Sequence, residues 1–237
     1  MTHLVLLRHG QSTWNRAHRY TGWSDAPLTA TGREQAAAAG RALRRHGITF
    51  DICFTSWMER ATESARIVLA GMESPELPTH ASWRLNERHC GALQDMSLLQ
   101  ALRRCGPRTL LAYKGEFTAV PPPIAESDPR YPGNNPLYRD IPRHLLPSAE
   151  STEQALARVL PFWQARIAPA IRRGQQVLVV SHGQTLRALA LFIDDIPAAR
   201  FRRCRLPNGE ALIYEMDDRA LPLDRYFASS REKVRWL

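Results

Sequence analysis

Two apolar runs, far apart in the chain, end in the same dipeptide. Leu4-Val5-Leu6-Leu7 leads into Arg8-His9-Gly10, and Val177-Leu178-Val179-Val180 leads into Ser181-His182-Gly183. A short apolar run, closed by a glycine, is the pattern of a strand buried on both faces, as in a parallel sheet. In open sheets of that kind, ligands bind just outside the carboxyl ends of the strands. If the two strands are neighbours, both histidines face one pocket and Arg8 lies beside the first. The pattern predicts an anion site with a nucleophilic imidazole. It requires the two rings to lie within a phosphate's width of each other, on a pocket open to solvent.

A chain of 237 residues can form one large α/β domain, and 1–237 is read as a single unit. No apolar run approaches the roughly 18 residues of a membrane span. The first strand begins almost at Met1, which leaves no room for a signal peptide. Cys53, Cys90, Cys105 and Cys204 are scattered, without a CxxC pair or metal spacing, and read as reduced thiols. Cytoplasmic residence and no metal are the expectations. The net charge of +9 favours anionic partners. Arg200, Arg202, Arg203 and Arg205 form the densest basic cluster, but Phe201 is its only aromatic and no nucleic-acid motif accompanies it. The cluster reads as solvated surface, and nucleic acid is not expected as a partner.

Along the chain, strands are predicted at Leu4–Leu7, Asp51–Phe54, Trp83–Leu85, Val177–Val180 and, as a late edge strand, Leu212–Glu215. Helices are predicted over Arg33–His46, Glu59–Ala70, Ser97–Cys105, Ser151–Ile171 and Gln184–Phe192. Ser151-Thr152-Glu153-Gln154 reads as a capping box, and Pro161 as a kink. From 113 to 150 prolines recur, so long regular elements are not expected there. An insertion of about 92–150 is read as lying over the carboxyl edge of the sheet. The last twenty residues are weakly patterned, and little tail follows Tyr226-Phe227. Alternating strands and helices predict a three-layer α/β/α sandwich with a mostly parallel central sheet.

Phosphoryl transfer without a metal needs a neutral nucleophile, fixed cations and a general acid. His9 supplies the first, and Arg8 beside it disfavours the imidazolium. Arg8 and Arg60, with planar forks suited to two oxygens each, are candidate clamps. His182 is a third, as an imidazolium donor. Helix N-terminal amides after Gly183 add donors. Glu87 is the best-placed carboxylate for a general acid.

These residues resemble the histidine phosphatase superfamily, and the ordered motifs sharpen the likeness. His9-Gly10-Gln11-Ser12-Thr13-Trp14-Asn15 is close to H-G-E-S-x-W-N, and Thr21-Gly22-Trp23-Ser24-Asp25 is similar to T/S-G-W-x-D. Phe54–Ala61 resembles the segment that carries a second phosphate arginine. Trp83–Gly91 differs from W-x-L-N-E-R-H-Y-G at one fixed place. The set is similar, nearly end to end, to the cofactor-dependent phosphoglycerate mutases, isomerases of glycolysis. The resemblance implies that His9 forms a phosphohistidine and that 2,3-bisphosphoglycerate primes it, with no permanently bound cofactor and no metal. It implies that Arg8, Asn15, Arg60 and His182 cradle the phosphoryl group, that Glu87 moves the proton, and that Ser12, Thr21, Gly22, Arg88, Cys90, Lys114, Gly183 and Gln184 line the substrate. A homodimer or larger oligomer is also implied, with the apolar stretch Ile67–Leu77 as support.

The departures gather in the substrate pocket. Cys90 stands where the family has tyrosine. Asp95-Met96-Ser97-Leu98 replaces G-L-N-K, Tyr113-Lys114-Gly115 replaces W-R-R, and Gln184 replaces asparagine. Two cations that grip the substrate's far anion are absent. At about 1.5–3 kcal/mol per charged hydrogen bond, this predicts a weakened second-anion clamp, unless Arg103, Arg104 or Arg108 fills the place. The readings are a mutase of 2- and 3-phosphoglycerate or of a related small substrate, a phosphatase of a small phosphomonoester, or a non-catalytic binder of phosphorylated ligands.

Overall fold

The computed structural model describes residues 2–230 and Val234. Its strands are β1 (Thr2–Arg8), β2 (Ile52–Thr55), β3 (Thr79–Ala81), β4 (Val177–Ser181), β5 (Ala211–Met216) and β6 (Pro222–Phe227), in one sheet of order β3-β2-β4-β1-β5-β6. The first four are parallel to one another, and β5 and β6 add an antiparallel margin. The helices are α1 (Thr13–Arg16), α2 (Ala30–Arg45), α3 (Glu59–Gly71), α4 (Leu98–Gly115), α5 (Thr152–Phe162), α6 (Ala168–Arg172) and α7 (Gly183–Ile193).

The run Leu4–Leu7 is wholly buried because its alternate side chains enter two different cores. Leu4 and Leu6 pack with Val159, Leu186 and Leu189 from α5 and α7. Val5 and Leu7 pack with Ala36 and Leu43 of α2 and with Ala65 and Val68 of α3. Each such side chain contributes about 1.5–3 kcal/mol on burial. The result is the expected three-layer sandwich. Strands β1 and β4 are neighbours, paired from Leu4↔Val177 to Arg8↔Ser181, so the two His-Gly tips emerge side by side.

Several expected boundaries shift. Helix α2 starts three residues earlier than read, because Thr29 caps it by accepting from Gly32 N. Trp83–Leu85 is a single 3₁₀ turn capped by Ser82, not a strand; the edge strand is the exposed Thr79–Ala81 just before it. Strand β5 is internal, since the weakly patterned Pro222–Phe227 pairs beside it and takes the edge. Helix α4 continues past Cys105: Gly106, at φ 74°, breaks it and Pro107 restarts it. The Ser151 capping box forms. Pro161, which offers no N–H, precedes a π turn over Trp163–Ile167 that joins α5 to α6.

Between residues 116 and 150 only three-residue 3₁₀ turns occur. This segment lies against the carboxyl end of the sheet, where Tyr138 and Leu146 pack with Trp23, Met58 and Trp83. Ile67, Met72 and Leu77 are half-buried against the chain's own second core. Apart from Val234, the tail after Ser230 lies outside the described residues. Among those described, no helix is long and apolar enough to cross a membrane.

Candidate active site

Three adjacent parallel strands deliver their tips to one point. Ser56 follows β2, His182 follows β4 and His9 follows β1. The His9 and His182 ring centroids are 5.0 Å apart at 62°, a separation one phosphoryl group can bridge. His9 Nδ1 lies 2.6 Å from the carbonyl of Gly10 and donates its proton there, which leaves the lone pair on Nε2. Burial, then the cations of Arg60 and Arg8, push the His9 imidazole well below its ordinary pKa. It is therefore neutral at pH 7, as a nucleophile must be.

His182 is buried under the same influences, with desolvation first and then Arg60, and is also held neutral. The imidazolium expected from sequence is thus replaced by a neutral donor. Ser56 Oγ accepts from Met58 N and lies 2.8 Å from His182 Nε2. A serine proton donated to Nε2 satisfies the buried hydroxyl, and that arrangement places the imidazole proton on Nδ1. That atom has no partner among the described residues.

Arg60, in the first turn of α3, is 1% exposed. Its two terminal nitrogens donate to the carbonyls of Ser24 and Gly22, each at 2.8 Å, and tie down the loop of Thr21 and Gly22. Its Nε is buried without a partner among the described residues, as is the Nε of Arg8. Arg8 donates once, to Leu206 O. It rests on the start of α7: a Cβ built on Gly183 would stand 3.0 Å from Arg8 Nε and Cζ. Three unsatisfied buried donors beside a neutral imidazole form an anion hole, because such donors are costly unless an acceptor reaches them.

The Glu87 carboxylate sits at the N-terminus of α7. It accepts from Arg88 N at 2.8 Å, from Thr185 N at 3.3 Å and from Gln184 N at 3.4 Å. Its charge bears on both Arg8 and Arg60. Asn15 reaches His9 only through Asn208, whose Nδ2 bridges Asn15 Oδ1 and the carbonyl of His9. Asn208 and Ser56 were not singled out in the sequence. Pro207-Asn208-Gly209 carries a turn signature that marks the first of them, whereas nothing near Ser56 distinguishes it.

Other expected residues stand further off. Ser12 spends its hydroxyl capping α1. Arg88 is buried over the Tyr113 ring at 3.8 Å and donates to Tyr113 O and Thr152 Oγ1. Cys90 packs with Leu93, Ala101, Leu110 and Tyr113, and burial pushes its thiol up to about 11. The Gln184 side chain accepts from Arg187. Arg103, Arg104 and Arg108 are exposed on α4 and do not fill the vacated clamp.

Openness to solvent is not as expected. His9 is 3% exposed and His182 not at all, because Arg8, Arg60 and the start of α7 close over them. Cavities of about 490 Å³ and 480 Å³ share Arg8 and Lys114 in their walls. His9 Nε2 makes no hydrogen bond among the described residues and is not among the fully buried unpartnered atoms, and Arg8 beside it borders both cavities. Among the described residues no three His, Cys, Asp or Glu side chains cluster as metal ligands.

The sequence model of the histidine phosphatase superfamily (branch 1) matches residues 4–130 and 115–228. The chain belongs to this superfamily. A mycobacterial glucosyl-3-phosphoglycerate phosphatase in complex with VO3 is similar in structure, with 25% identity, 91% of this chain and 93% of that chain covered, and a TM-score of 0.70. An alpha-ribazole phosphatase from Shigella flexneri shares 26% identity over 92% of each chain, with a TM-score of 0.66. Bacillus stearothermophilus YhfR shares 25% identity over 94% of each chain, with a TM-score of 0.68.

Proposed function

We propose that the chain is a phosphatase of small phosphomonoesters working through a phosphohistidine on His9. The observation that carries this reading is the neutral His9 imidazole, Nε2 free, beside three unsatisfied donors. His9 Nε2 attacks phosphorus, while Arg8, Arg60 and His182 Nδ1–H hold the non-bridging oxygens. The ester P–O bond breaks and Glu87, as acid, protonates the leaving oxygen. Water then attacks the phosphohistidine, gives its proton to Glu87, and inorganic phosphate departs with His9 restored. The two phosphatases of similar structure support hydrolysis over isomerisation.

Interconversion of 2- and 3-phosphoglycerate, with 2,3-bisphosphoglycerate priming His9, is the second reading, favoured by the Trp83–Gly91 motif. A labelled panel of phosphomonoesters, together with labelled 2,3-bisphosphoglycerate, separates them. Acid-labile label on His9 that appears as inorganic phosphate supports the phosphatase. Label that passes to 3-phosphoglycerate supports the mutase. No label on the wild type, as on His9→Ala, overturns both and leaves the binder of phosphorylated ligands. A cytoplasmic homodimer remains the expected setting.

A further inference from the structure

The carbonyl that accepts the His9 proton belongs to a peptide plane with a second fixed point. His9 Nδ1 donates to Gly10 O at 2.6 Å. The N–H of the same plane is that of Gln11, and it donates to Oε1 of Gln35 at 2.8 Å. Gln35 Oε1 is its one acceptor among the described residues. A peptide is planar, so its N–H and C=O turn together. Whatever aims the Gln11 N–H therefore aims the oxygen that holds the His9 ring.

Gln35 comes from the second turn of α2, and α2 is seated directly on this segment. Thr29, its cap, donates from N to Gln11 O at 2.9 Å. Gly10 and Gly32 meet backbone to backbone: a Cβ on Gly10 would stand 2.0 Å from Gly32 O, and one on Gly32 would stand 2.1 Å from Gln11 O. Glycine at both places lets the helix come close enough for Gln35 to reach Gln11 N. On the other side, the stem of Gln35 packs against the turn Pro207-Asn208-Gly209. A Cβ on Gly209, at φ 70°, would stand 2.6 Å from Gln35 Cβ. That turn carries Asn208, whose Nδ2 donates to His9 O at 3.1 Å and lies 3.4 Å from Gly10 O. The peptide is thus held between α2 and the turn.

We infer that Gln35 is a positioning residue for phosphoryl transfer, acting on His9 through the Gly10–Gln11 peptide. While Gln35 holds the Gln11 N–H, Gly10 O stays on His9 Nδ1 and the lone pair stays on Nε2, because the hydrogen bond at one ring nitrogen sets the state of the other. Without it, the Gln11 N–H turns toward another acceptor and Gly10 O turns with it. The His9 proton is then free to move to Nε2, from which the ring cannot attack phosphorus. The inference rests on the phosphohistidine reading for its kinetic consequence, whereas the His9 tautomer is a property of the free protein.

The test uses Gln35→Met, which keeps the length of the side chain and removes the acceptor, and Gln35→Glu, which keeps an acceptor oxygen. Two quantities are measured on the full chain. One is the pre-steady-state rate of p-nitrophenol release at saturating p-nitrophenyl phosphate. The other is the His9 tautomer by ¹⁵N NMR of the histidine rings, with the His9 signals assigned by their loss in His9→Ala. The wild type is protonated on Nδ1. In Gln35→Met the Nδ1-protonated fraction falls at least about twofold and the rate falls at least as far, with KM nearly unchanged. Gln35→Glu restores most of both. A role in folding alone would lower the melting temperature and leave the tautomer where it is. The inference is overturned by a wild-type His9 protonated on Nε2, by a Gln35→Met that leaves either the rate or the tautomer unmoved, or by an equal loss in Gln35→Glu. If the wild type turns over no ester and forms no label, the enzymatic reading fails separately, and the tautomer in Gln35→Met alone decides whether Gln35 orients His9. Should Gln35→Met not fold, Gln35→Asn, which draws the acceptor back by one methylene, takes its place with the same outcomes.

Discussion

Ser56 Oγ and His182 Nε2 are 2.8 Å apart, and their hydrogen bond fixes which nitrogen of His182 carries the proton. Ser56 is fully buried, its oxygen accepts from Met58 N, and His182 Nε2 is the one acceptor its hydroxyl reaches among the described residues, so donation there satisfies the buried hydroxyl. Ser56→Ala removes that restraint without touching the phosphoryl site. The proton can then sit on Nε2, which turns an acceptor toward the phosphoryl oxygens. We expect kcat for p-nitrophenyl phosphate to fall by about tenfold or more, equivalent to at least about 1.4 kcal/mol. Stability should fall by about 1–3 kcal/mol in denaturant titration. Unchanged kcat would refute the assigned tautomer.

Gly183 sets the position of Arg8. The built Cβ approaches Arg8 Nε and Cζ at 3.0 Å, tighter than ordinary contact. Gly183→Ala pushes the guanidinium off the helix start. Burst amplitude and steady-state kinetics should show KM raised and kcat lowered together, each severalfold, because the proposed mechanism has Arg8 hold the phosphoryl oxygens both before and during transfer. An effect on melting alone would mean that Arg8 has another resting place.

The sheet centre was legible because a strand buried on both faces must be apolar throughout, and only β1 and β4 read that way before a His-Gly. The capping box at Ser151 was legible because it is local. Trp83–Leu85 was not, since three residues carry no period. Strand β6 was not, because all its residues but the exposed Leu223 are half-buried and show no alternation. The arginine run was read as solvated surface, and Arg202, Arg203 and Arg205 are exposed. Ser56 hides because a single buried hydroxyl leaves no pattern.

Acid should destabilise the fold earlier than carboxylate protonation does. His9 and His182 are held well below the ordinary histidine value, chiefly by burial, and His89 is lowered to about 4. In the unfolded chain all three protonate near pH 6.5. Below that pH the unfolded state binds more protons than the folded state, so stability falls as pH falls, by up to about 1.4 kcal/mol per pH unit for each histidine. The part due to His89 continues to about pH 4. Denaturant midpoints should decline between pH 6.5 and 5, where most carboxylates are still ionised. Inorganic phosphate, by favouring protonated His9 and His182 in the fold, should flatten the decline. A flat profile without phosphate would contradict the neutral assignments.

Arg158 and Glu150 hold the Glu87 segment from beneath. Their side chains are each 5% exposed and meet at 2.7 Å. The same guanidinium donates to the carbonyls of Trp83, Arg84, Asn86 and Glu87. Lysine cannot reproduce that fork. Arg158→Met leaves Glu150 buried and unpaired, which costs about 3–5 kcal/mol, and Tm should drop by about 10 °C for a chain of this size. Four carbonyls also lose the Arg158 donor, although Glu87 O keeps Trp23 Nε1 and Asn86 O keeps Thr185 Oγ1, so the Glu87 segment loosens and kcat falls. Pairing the change with Glu150→Gln removes the stranded charge. The double variant should therefore regain much of the Tm while kcat stays low, because the carbonyls of Asn86 and Glu87 still lack the Arg158 fork. Recovery of both would show that the pair stabilises the fold but does not position Glu87.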